Sequence, residues 1–586
     1  MRQWMVAAKK ADFYAIAEKF HVDPVVARII RNREVIGEKN IRIYLGGNLS
    51  DLSDPHQMKD MDRLVEILAQ KIQKQVHIRI IGDYDVDGVT SSHLFLTALR
   101  RVGAKVDVVI PHRIQDGYGL SLHLLQQAKE DGVDTILTCD NGIAAIDEIA
   151  WAKAQKMTVL VTDHHAVPFE EHEGRRTEKK SLADAVVNPH QQDCGYPYKE
   201  LCGAGVAWNV IRVLYENYDM DKREAEDLLD FVAMATVCDV MSLTGENRIL
   251  VKEGLKRIRH TKNIGLQALM QACNVQPENI SAYHFGYVLG PCVNATGRLD
   301  TARHALRLFE TGQETEAEEI ARDLVDLNQE RKELTLQGVE MAKKLCEEGG
   351  YENDPVLVLF LPDVHESIAG LIAGRIREMY NRPVFVLTRG EEGVKGSGRS
   401  TENYSMYENM CGCAELFTKF GGHPMAAGLS LLEENVEKFR RKINENCPFT
   451  VEEVCPDIHI DMAMPVGYAS TELVHQFALL EPFGKDNPSP LFADRNLSIS
   501  RMWVIGKNRN VLRMSVLSEY GQPVPVIFFG DVETLFAYFT EKFGQEEVEN
   551  ALHGRKNRIL FSMVYTAKID FYQGNENLQL EMKYYR

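Results

Sequence analysis

The 586-residue sequence predicts an α/β protein: two α/β domains joined by a long helix, followed by a small C-terminal β-barrel. Three observations carry that expectation. Between Val76 and Pro189 five short apolar runs alternate with helix-like segments, the text of a parallel, doubly wound sheet. Glu314 to Glu348 contains no proline and one glycine, and its apolar positions Ile320, Leu324, Leu327 and Leu334 suit one helix that stops at Gly349-Gly350. After Cys455 the chain reads as short strands and turns, which suggests a barrel.

Taken in order, residues 1–69 are helical, with apolar positions at Phe13, Ile16, Ala17 and Phe20 and again at Val25, Ala27, Ile29 and Ile30, and are expected to cap the domain that follows. Residues 70–312 form the first α/β domain, with strands expected at Val76 to Gly82, Val106 to Pro111, Thr135 to Asp140, Thr158 to Asp163 and Ala185 to Pro189. Residues 313–350 are the connecting helix. Residues 351–455 repeat the strand and helix pattern, with Pro355 to Leu361, Ile368 to Met379 and Pro383 to Thr388. Residues 456–586 form the barrel, with strands expected at Leu497 to Ile505, Val511 to Leu517, Val524 to Phe529 and Ile559 to Ile569.

A formal net charge of −18 speaks against a polyanion partner unless positive charge is concentrated locally, and acids that hold metals count against the total although bound cations cancel them. No apolar run approaches the roughly 18 to 20 residues needed to cross a bilayer, so a cytoplasmic protein with no membrane contact is expected. Eleven cysteines without framework spacing suit reduced thiols, and the close pair Cys411 and Cys413 reads as structural.

The chemistry starts at Ile78 to Thr90, I-R-I-I-G-D-Y-D-V-D-G-V-T. A buried strand ends at Gly82, and Asp83, Asp85 and Asp87 follow at alternate positions. Alternate residues of an extended segment point the same way, so the acids would crowd one volume unless a divalent cation stood among them. Two further strands end in Asp140 and in Asp163-His164-His165, and ligands of such sheets bind at the carboxyl ends of the strands. Asp239 interrupts the apolar run F-V-A-M-A-T-V-C-D-V, where a lone charge is costly unless paired or coordinated. Asp85, Asp87, Asp140, His164 and Asp239 thus make an oxygen-rich set with one imidazole, which suits Mn²⁺ or Mg²⁺ better than zinc. Cys139 and Cys238 precede two of these acids and should face the core. In the barrel, Arg495, Arg501, Lys507, Arg509 and Arg513 occur with no acid among them and with Trp503 in the same stretch, the combination a single-strand-binding OB-fold uses.

The motifs D-Y-D-V-D-G, C-D-N-G at Asp140, D-H-H at Asp163 to His165, and Asp239 resemble, in that order, the four motifs of the DHH phosphoesterase superfamily. G-Y-G-L at Gly117 to Leu120, N-A-T-G-R at Asn294 to Arg298, L-N-Q-E-R-K at Leu327 to Lys332, K-G-S-G-R-S at Lys395 to Ser400, G-G-H at Gly421 to His423 and E-P-F-G-K-D-N-P at Glu481 to Pro488 resemble the bacterial RecJ family of single-strand-specific exonucleases, over nearly the whole chain. Val364 to Gly370 departs from that pattern, which has a tryptophan and a glutamine around the histidine, and no role is assigned to His365.

The resemblance implies a DHH domain, a DHH-associated domain and an OB-fold, and 5′ to 3′ degradation of single-stranded DNA to 5′-mononucleotides with Mn²⁺ or Mg²⁺ in recombination and repair, in company with a helicase and a single-strand-binding protein. It implies Asp140 as a carboxylate shared by two cations, Asp85 mainly on one, and Asp87, His164 and Asp239 mainly on the other. Asp83 and Asp163 would support these ligands from behind, and His165 would meet the scissile phosphate or the leaving oxygen. Arg298, Ser397 and Arg399 would bind a terminal 5′-phosphate, with Gly396 and Gly398 letting the backbone approach the anion, and His423 would touch the DNA backbone near the metals. The long helix would set the two α/β domains across a groove that admits one strand. The competing enzyme class is a DHH-type nano-RNase, cyclic-dinucleotide phosphodiesterase or pyrophosphatase, for which the barrel would be superfluous. A haloacid-dehalogenase-like phosphatase would leave the histidines and Asp239 unexplained, and a non-enzymatic scaffold would have lost ligands that are all present here.

Overall fold

All five strand runs expected in the first α/β domain form strands in the computed structural model, which describes residues 3–113, 116, 119–172, 175–390, 393–506, 509–572 and 574–586. They are β1 (Ile78–Ile81), β2 (Val106–Val109), β3 (Thr135–Cys139), β4 (Thr158–Thr162) and β5 (Ala185–Val187), paired in parallel in the order β2-β1-β3-β4-β5. β1 and β3 are buried throughout, as isoleucine-, leucine- and threonine-rich strands covered on both faces should be. Strand order reverses between β1 and β3, and the crevice beyond their carboxyl ends is where such a sheet binds its ligand. The charged residue inside β1, Arg79, is neutralised by two hydrogen bonds to Asp107 and one to Asp131.

Four helices matter for the site: α1 (Val86–Arg101), α2 (Gly203–Asn217), α3 (Leu229–Cys238) and α4 (Gly290–Leu299). Residues Leu229 to Thr236 of α3 are all buried, the mark of a helix inside a core, and Asp239 caps its end. The expected connector is one 35-residue helix, α5 (Glu314–Glu348), ending at Gly349. At about 1.5 Å per residue it is about 52 Å long. The second α/β domain has strands β6 (Leu357–Phe360), β7 (Val384–Gly390), β8 (Gly393–Arg399), β9 (Phe417–Gly422) and β10 (Ala426–Leu431) in the order β9-β10-β8-β7-β6, with helix α6 (Glu366–Tyr380) between β6 and β7. Only β6 and β7 pair in parallel, so this sheet is mixed.

Residues 49–456 form one compact unit, and residues 3–48 join residues 457–586 in a second. The second holds the barrel: β11 (Phe492–Ile505), β12 (Val511–Leu517), β13 (Pro523–Phe529), β14 (Leu560–Tyr572) and β15 (Asn575–Tyr585) pair in the order β11-β12-β13-β15-β14, and β14 returns to β11 and closes the ring. The expected cap on the first domain is corrected here. Of residues 1–69, helix Phe13–Phe20 and helix Pro24–Asn32 place Ala17, Val25, Val26, Ile29 and Ile30 in one core with Leu480, Phe492 and Met563. Only the part from Leu49 onward stays with the first domain, where Leu64, Val65 and Leu68 of helix Met61–Gln73 fill its core. Helical periodicity shows that a helix has an apolar face, not which core that face fills.

Candidate active site

The acids after β1 do not lie on an extended segment. Asp85 is the N-cap of α1 and accepts a hydrogen bond from Gly88 N at 3.0 Å, and Asp87 sits in the first turn of that helix. The carboxylates converge because the chain winds into a helix whose N-terminus favours negative charge. Asp87 is clamped on both oxygens, by Gly203 N at 2.6 Å and Ala204 N at 2.7 Å at the start of α2. Asp140 follows β3 in the left-handed region, φ 61°. Gly203 packs against it so tightly that a Cβ there would lie 2.6 Å from the Asp140 Cβ.

Asp163 is buried and acts through its neighbours: Oδ1 accepts from His164 N at 2.7 Å, His165 N at 3.1 Å and His165 Nδ1 at 2.8 Å, and Oδ2 accepts from Ile143 N at 2.9 Å. This fixes the His165 imidazole and the backbone at His164. His164 Nε2 points into the acids, 3.0 Å from Asp140 Oδ1, 3.6 Å from Asp239 Oδ2 and 3.7 Å from Asp87 Oδ2. It is buried, and despite these distances it makes no hydrogen bond of acceptable geometry with any described residue. Donor atoms crowding one point without bonding each other are what a cation site requires. Ligand atoms within 4.8 Å of one another group as Asp83, Asp85 and Asp140, as Asp87, His164 and Asp239, and as Asp140, His164 and His165. Asp83, expected behind the ligands, thus stands in the same group as Asp85 and Asp140.

Charge in this cluster is frustrated. Burial, and then the neighbouring carboxylates, push Asp140 and Asp83 well above the ordinary carboxylate range and Asp85 upward. Burial opposes ionisation of Asp163 too, but its hydrogen bond from His165 and the two histidine charges hold it below that range. Burial also works against a charged His165, yet Asp163 overcomes it and raises the ring to about 9. Burial pushes Cys139 up to about 12, in keeping with a packing thiol, and Cys238 moves the same way.

Beside the acids lies a basic cavity of about 480 Å³ whose lining includes Arg113, Arg298, Lys395, Ser397 and Arg399. Arg298, near the end of α4, donates to Ser367 O of α6 at 2.7 Å, and Arg399 of β8 donates to Ser397 Oγ at 3.1 Å and Gly398 O at 2.8 Å. Burial first, then Arg113, Arg331 and Arg399, lowers Arg298 to about 10, so it stays charged at neutral pH. A smaller cavity of about 300 Å³, bordered by Asp83, Tyr84 and Asp85, shares Arg113 and Arg298 with the first.

The structure therefore brings Arg298, Ser397 and Arg399 together. His423 is exposed in the turn between β9 and β10, while Lys419 and Gly421 of β9 line the basic cavity. Gly396 and Gly398 are required by packing beneath the cavity: a Cβ at either would lie 2.4 Å from Leu387 Cδ2 or 2.3 Å from Met406 Sδ. His365 caps α6, with Nδ1 2.7 Å from Ser367 Oγ. On the barrel, Trp503 of β11 pairs with Arg513 of β12, and the Arg501 guanidinium lies 5.8 Å from the Trp503 ring centroid. Arg509 lies in the turn between those strands, and Lys507, like Gly117 and Tyr118, falls outside the described residues. Sequence reasoning missed Arg113, although its place just after β2 was a signal, and the α2 amides, which the glycines of L-C-G-A-G announce.

Residues 77–236 match the DHH family N-terminal domain, residues 353–447 the DHHA1 domain and residues 460–584 the RecJ OB domain. The single-stranded-DNA-specific exonuclease RecJ of Haemophilus influenzae is 32% identical over 96% of each chain. That of Bacillus subtilis is 32% identical over 87% of this chain, which spans 63% of the relative's length. The crystal structure of RecJ from Thermus thermophilus in complex with Mn²⁺ superposes with a TM-score of 0.81 at 25% identity, covering 100% of this chain and 79% of that one. With the DHH, DHHA1 and OB domains in that order, the chain belongs to the RecJ family of DHH phosphoesterases.

Proposed function

We propose that this chain is a divalent-metal-dependent exonuclease that degrades single-stranded DNA from its 5′ end to 5′-mononucleotides, in recombination and repair. One observation carries the reading: the carboxylate cluster and the arginine cavity share Arg113 and Arg298, so a terminal phosphate held by arginine lies next to a centre able to cut the following phosphodiester. The single-stranded-DNA-specific exonuclease activity of the Haemophilus and Bacillus relatives and the Mn²⁺ complex of the Thermus protein support it.

The donor set fits two Mn²⁺ or Mg²⁺ ions: Asp83 and Asp85 would hold one, Asp87, His164 and Asp239 the other, and Asp140, which groups with Asp85 on one side and with His164 on the other, would serve both. When bound, such a pair supplies Lewis acidity that activates the attacking water and stabilises charge on the phosphodiester oxygens. The protein does the rest. The Gly203 and Ala204 amides hold Asp87 in place, and Asp163 sets the His165 imidazole and the backbone at His164. His165, protonated at neutral pH, is placed to hydrogen-bond the scissile phosphate and to give its proton to the departing O3′. Arg298, Arg399 and Ser397 hold the 5′-phosphate, with Arg113 beside them, so that cleavage counts one nucleotide from the end. On the barrel, Arg501, Trp503, Arg509 and Arg513 bind the strand by stacking and charge. An enzyme confined to single strands depends on a helicase to open duplexes and shares its substrate with single-strand-binding protein. Among the described residues no helix is long and apolar enough to cross a membrane.

A time course with Mn²⁺ on end-labelled single-stranded and duplex DNA tests the reading. Mononucleotides released first from the 5′ end of the single strand are expected. Release from the 3′ end, internal cuts, or activity on dinucleotides alone would overturn it, the last in favour of a nano-RNase or cyclic-dinucleotide phosphodiesterase.

A further inference from the structure

Tyr283 and Tyr287 remain 62% and 72% exposed, their rings stacked with centroids 5.2 Å apart and planes 24° apart. An aromatic side chain usually buries about 150–250 Å² of surface, so two rings left largely in solvent, with the His284 ring edge-on to Tyr283 at 5.6 Å, call for an occupant. Val240 is also an exposed apolar side chain, 63% accessible, and its φ of 55° is a conformation a β-branched residue adopts only under constraint. Tyr287 rides on a π-helical turn, Phe285–Leu289, a form concentrated at functional sites.

Position says what the occupant is. The π turn runs directly into α4, which reaches along the whole site. At its start Phe285 O accepts a hydrogen bond from Cys238 Sγ at 3.3 Å, one residue before Asp239. Midway, Asn294 Oδ1 accepts from Val86 N, at the head of the helix that carries Asp87. Near its end Arg298 enters the basic cavity. Tyr287 and Arg298 are therefore about 16 Å apart along the helix axis, at ~1.5 Å per residue, with the acids alongside the intervening stretch.

We infer that Tyr283 and Tyr287 form a base-stacking platform for the strand beyond the scissile phosphate. The inference rests on the reading above, in which the 5′-phosphate sits at Arg298 and the cut is made at the acids. Nucleobases are the matching ligand: an unpaired strand offers flat π faces of every sequence, and stacking on aromatic rings is sequence-tolerant. The platform also separates substrates by length. A dinucleotide ends at the centre and gains nothing from it, whereas an oligonucleotide is held on both sides of the bond to be broken.

The test compares wild type, Tyr283→Ala/Tyr287→Ala and Tyr283→Trp/Tyr287→Trp on a 5′-phosphorylated 20-mer and a 5′-phosphorylated dinucleotide, and on 20-mers with one abasic residue moved stepwise from the 5′ end. The alanine pair should raise KM for the 20-mer about tenfold or more while leaving dinucleotide hydrolysis unchanged, and the tryptophan pair should restore it. One abasic position should impair wild type and add nothing to the alanine pair. An unchanged KM for the 20-mer would overturn the platform, as would an equal loss on the dinucleotide, failure of the tryptophan rescue, or an abasic profile shared by wild type and variant. A wild type that cuts neither substrate would instead bring down the exonuclease reading itself.

Discussion

Acids crowd at the carboxyl ends of β1 and β3, and arginines crowd in the cavity alongside, yet neither cluster neutralises the other. Asp85, Asp87 and Asp163 are held by backbone N–H groups, and Arg298 and Arg399 by carbonyl and hydroxyl oxygens. Neutral dipoles fix these side chains without pairing acid to arginine, so both clusters stay open to a ligand of opposite sign. Had the arginines paired with the acids, the protein would have gained a set of buried ion pairs and lost both binding sites. The clusters differ in cost. Arginine stays charged when partly buried, whereas the carboxylates respond to burial and mutual repulsion by holding protons.

The largest effect should come from the acids. Asp140→Ala removes the carboxylate that groups with Asp83 and Asp85 and also with His164 and His165, and should lower Mn²⁺-dependent cleavage about a thousandfold or more, equivalent to several kcal/mol of transition-state stabilisation. The same variant should lose the thermal stabilisation by Mn²⁺, which for wild type amounts to about 2.7 kcal/mol at a hundred times Kd. Retained Mn²⁺-dependent activity would remove Asp140 from its shared position. Arg399→Ala should cost about 1.5–3 kcal/mol, some tenfold to a hundredfold, in the preference for 5′-phosphorylated over 5′-hydroxyl ends, with the Mn²⁺ response of melting intact. If the preference survives, the arginines are an interface and not a pocket. Trp503→Ala should weaken binding of a long single strand about tenfold and leave dinucleotide hydrolysis alone, and raising salt should deepen the defect in wild type and variant alike. Equal loss on both substrates would place Trp503 outside the binding surface.

The smallest effect is on stability. A carboxyl whose folded pKa is raised costs nothing below its unfolded value, 3.8 for Asp85, and its full amount above the folded value. Asp83, Asp85 and Asp140 are all raised, so in a chelator the melting temperature should fall as pH climbs above 4, by about 2–4 °C per kcal/mol. Mn²⁺ should flatten that slope, and Asp140→Ala should make it shallower without metal. A chelated wild type whose melting temperature rises across the same range would show that the carboxylates do not repel as described.

The same contrast explains what was legible in the sequence. Asp83 to Asp87, Asp140 and Asp163 announced themselves because they follow strands, and the end of a parallel strand is where a sheet puts its ligands; Asp239 did so as a lone charge in an apolar run. Period and turn residues also revealed β1 to β5 and the full extent of α5. Arg298 and Arg399, by contrast, lie a hundred residues apart on different domains, and no local pattern says they meet; only resemblance to a family did. The winding of Asp85 and Asp87 into a helix was hidden because alternate spacing looks the same on a strand and in a tight turn. Gly396 and Gly398 suggested an approaching anion, and the demand came from Leu387 and Met406 underneath. The partner of the N-terminal helices was invisible for a general reason: an amphipathic face is a local property, and its complement here is made more than 400 residues later.

That separation has a consequence for how the protein is made. Asn32 donates to Asp461 across 429 residues of chain, and the helices around it share their core with strands completed only near residue 582. At a synthesis rate of about 5–20 residues per second, these helices wait about 30–110 s for the surface that will cover them. Throughout that interval Val26, Ile29 and Ile30 are open to water or to a chaperone, while the two α/β domains encoded in between are free to fold first. The barrel, translated after both α/β domains, is also the step that shields these helices.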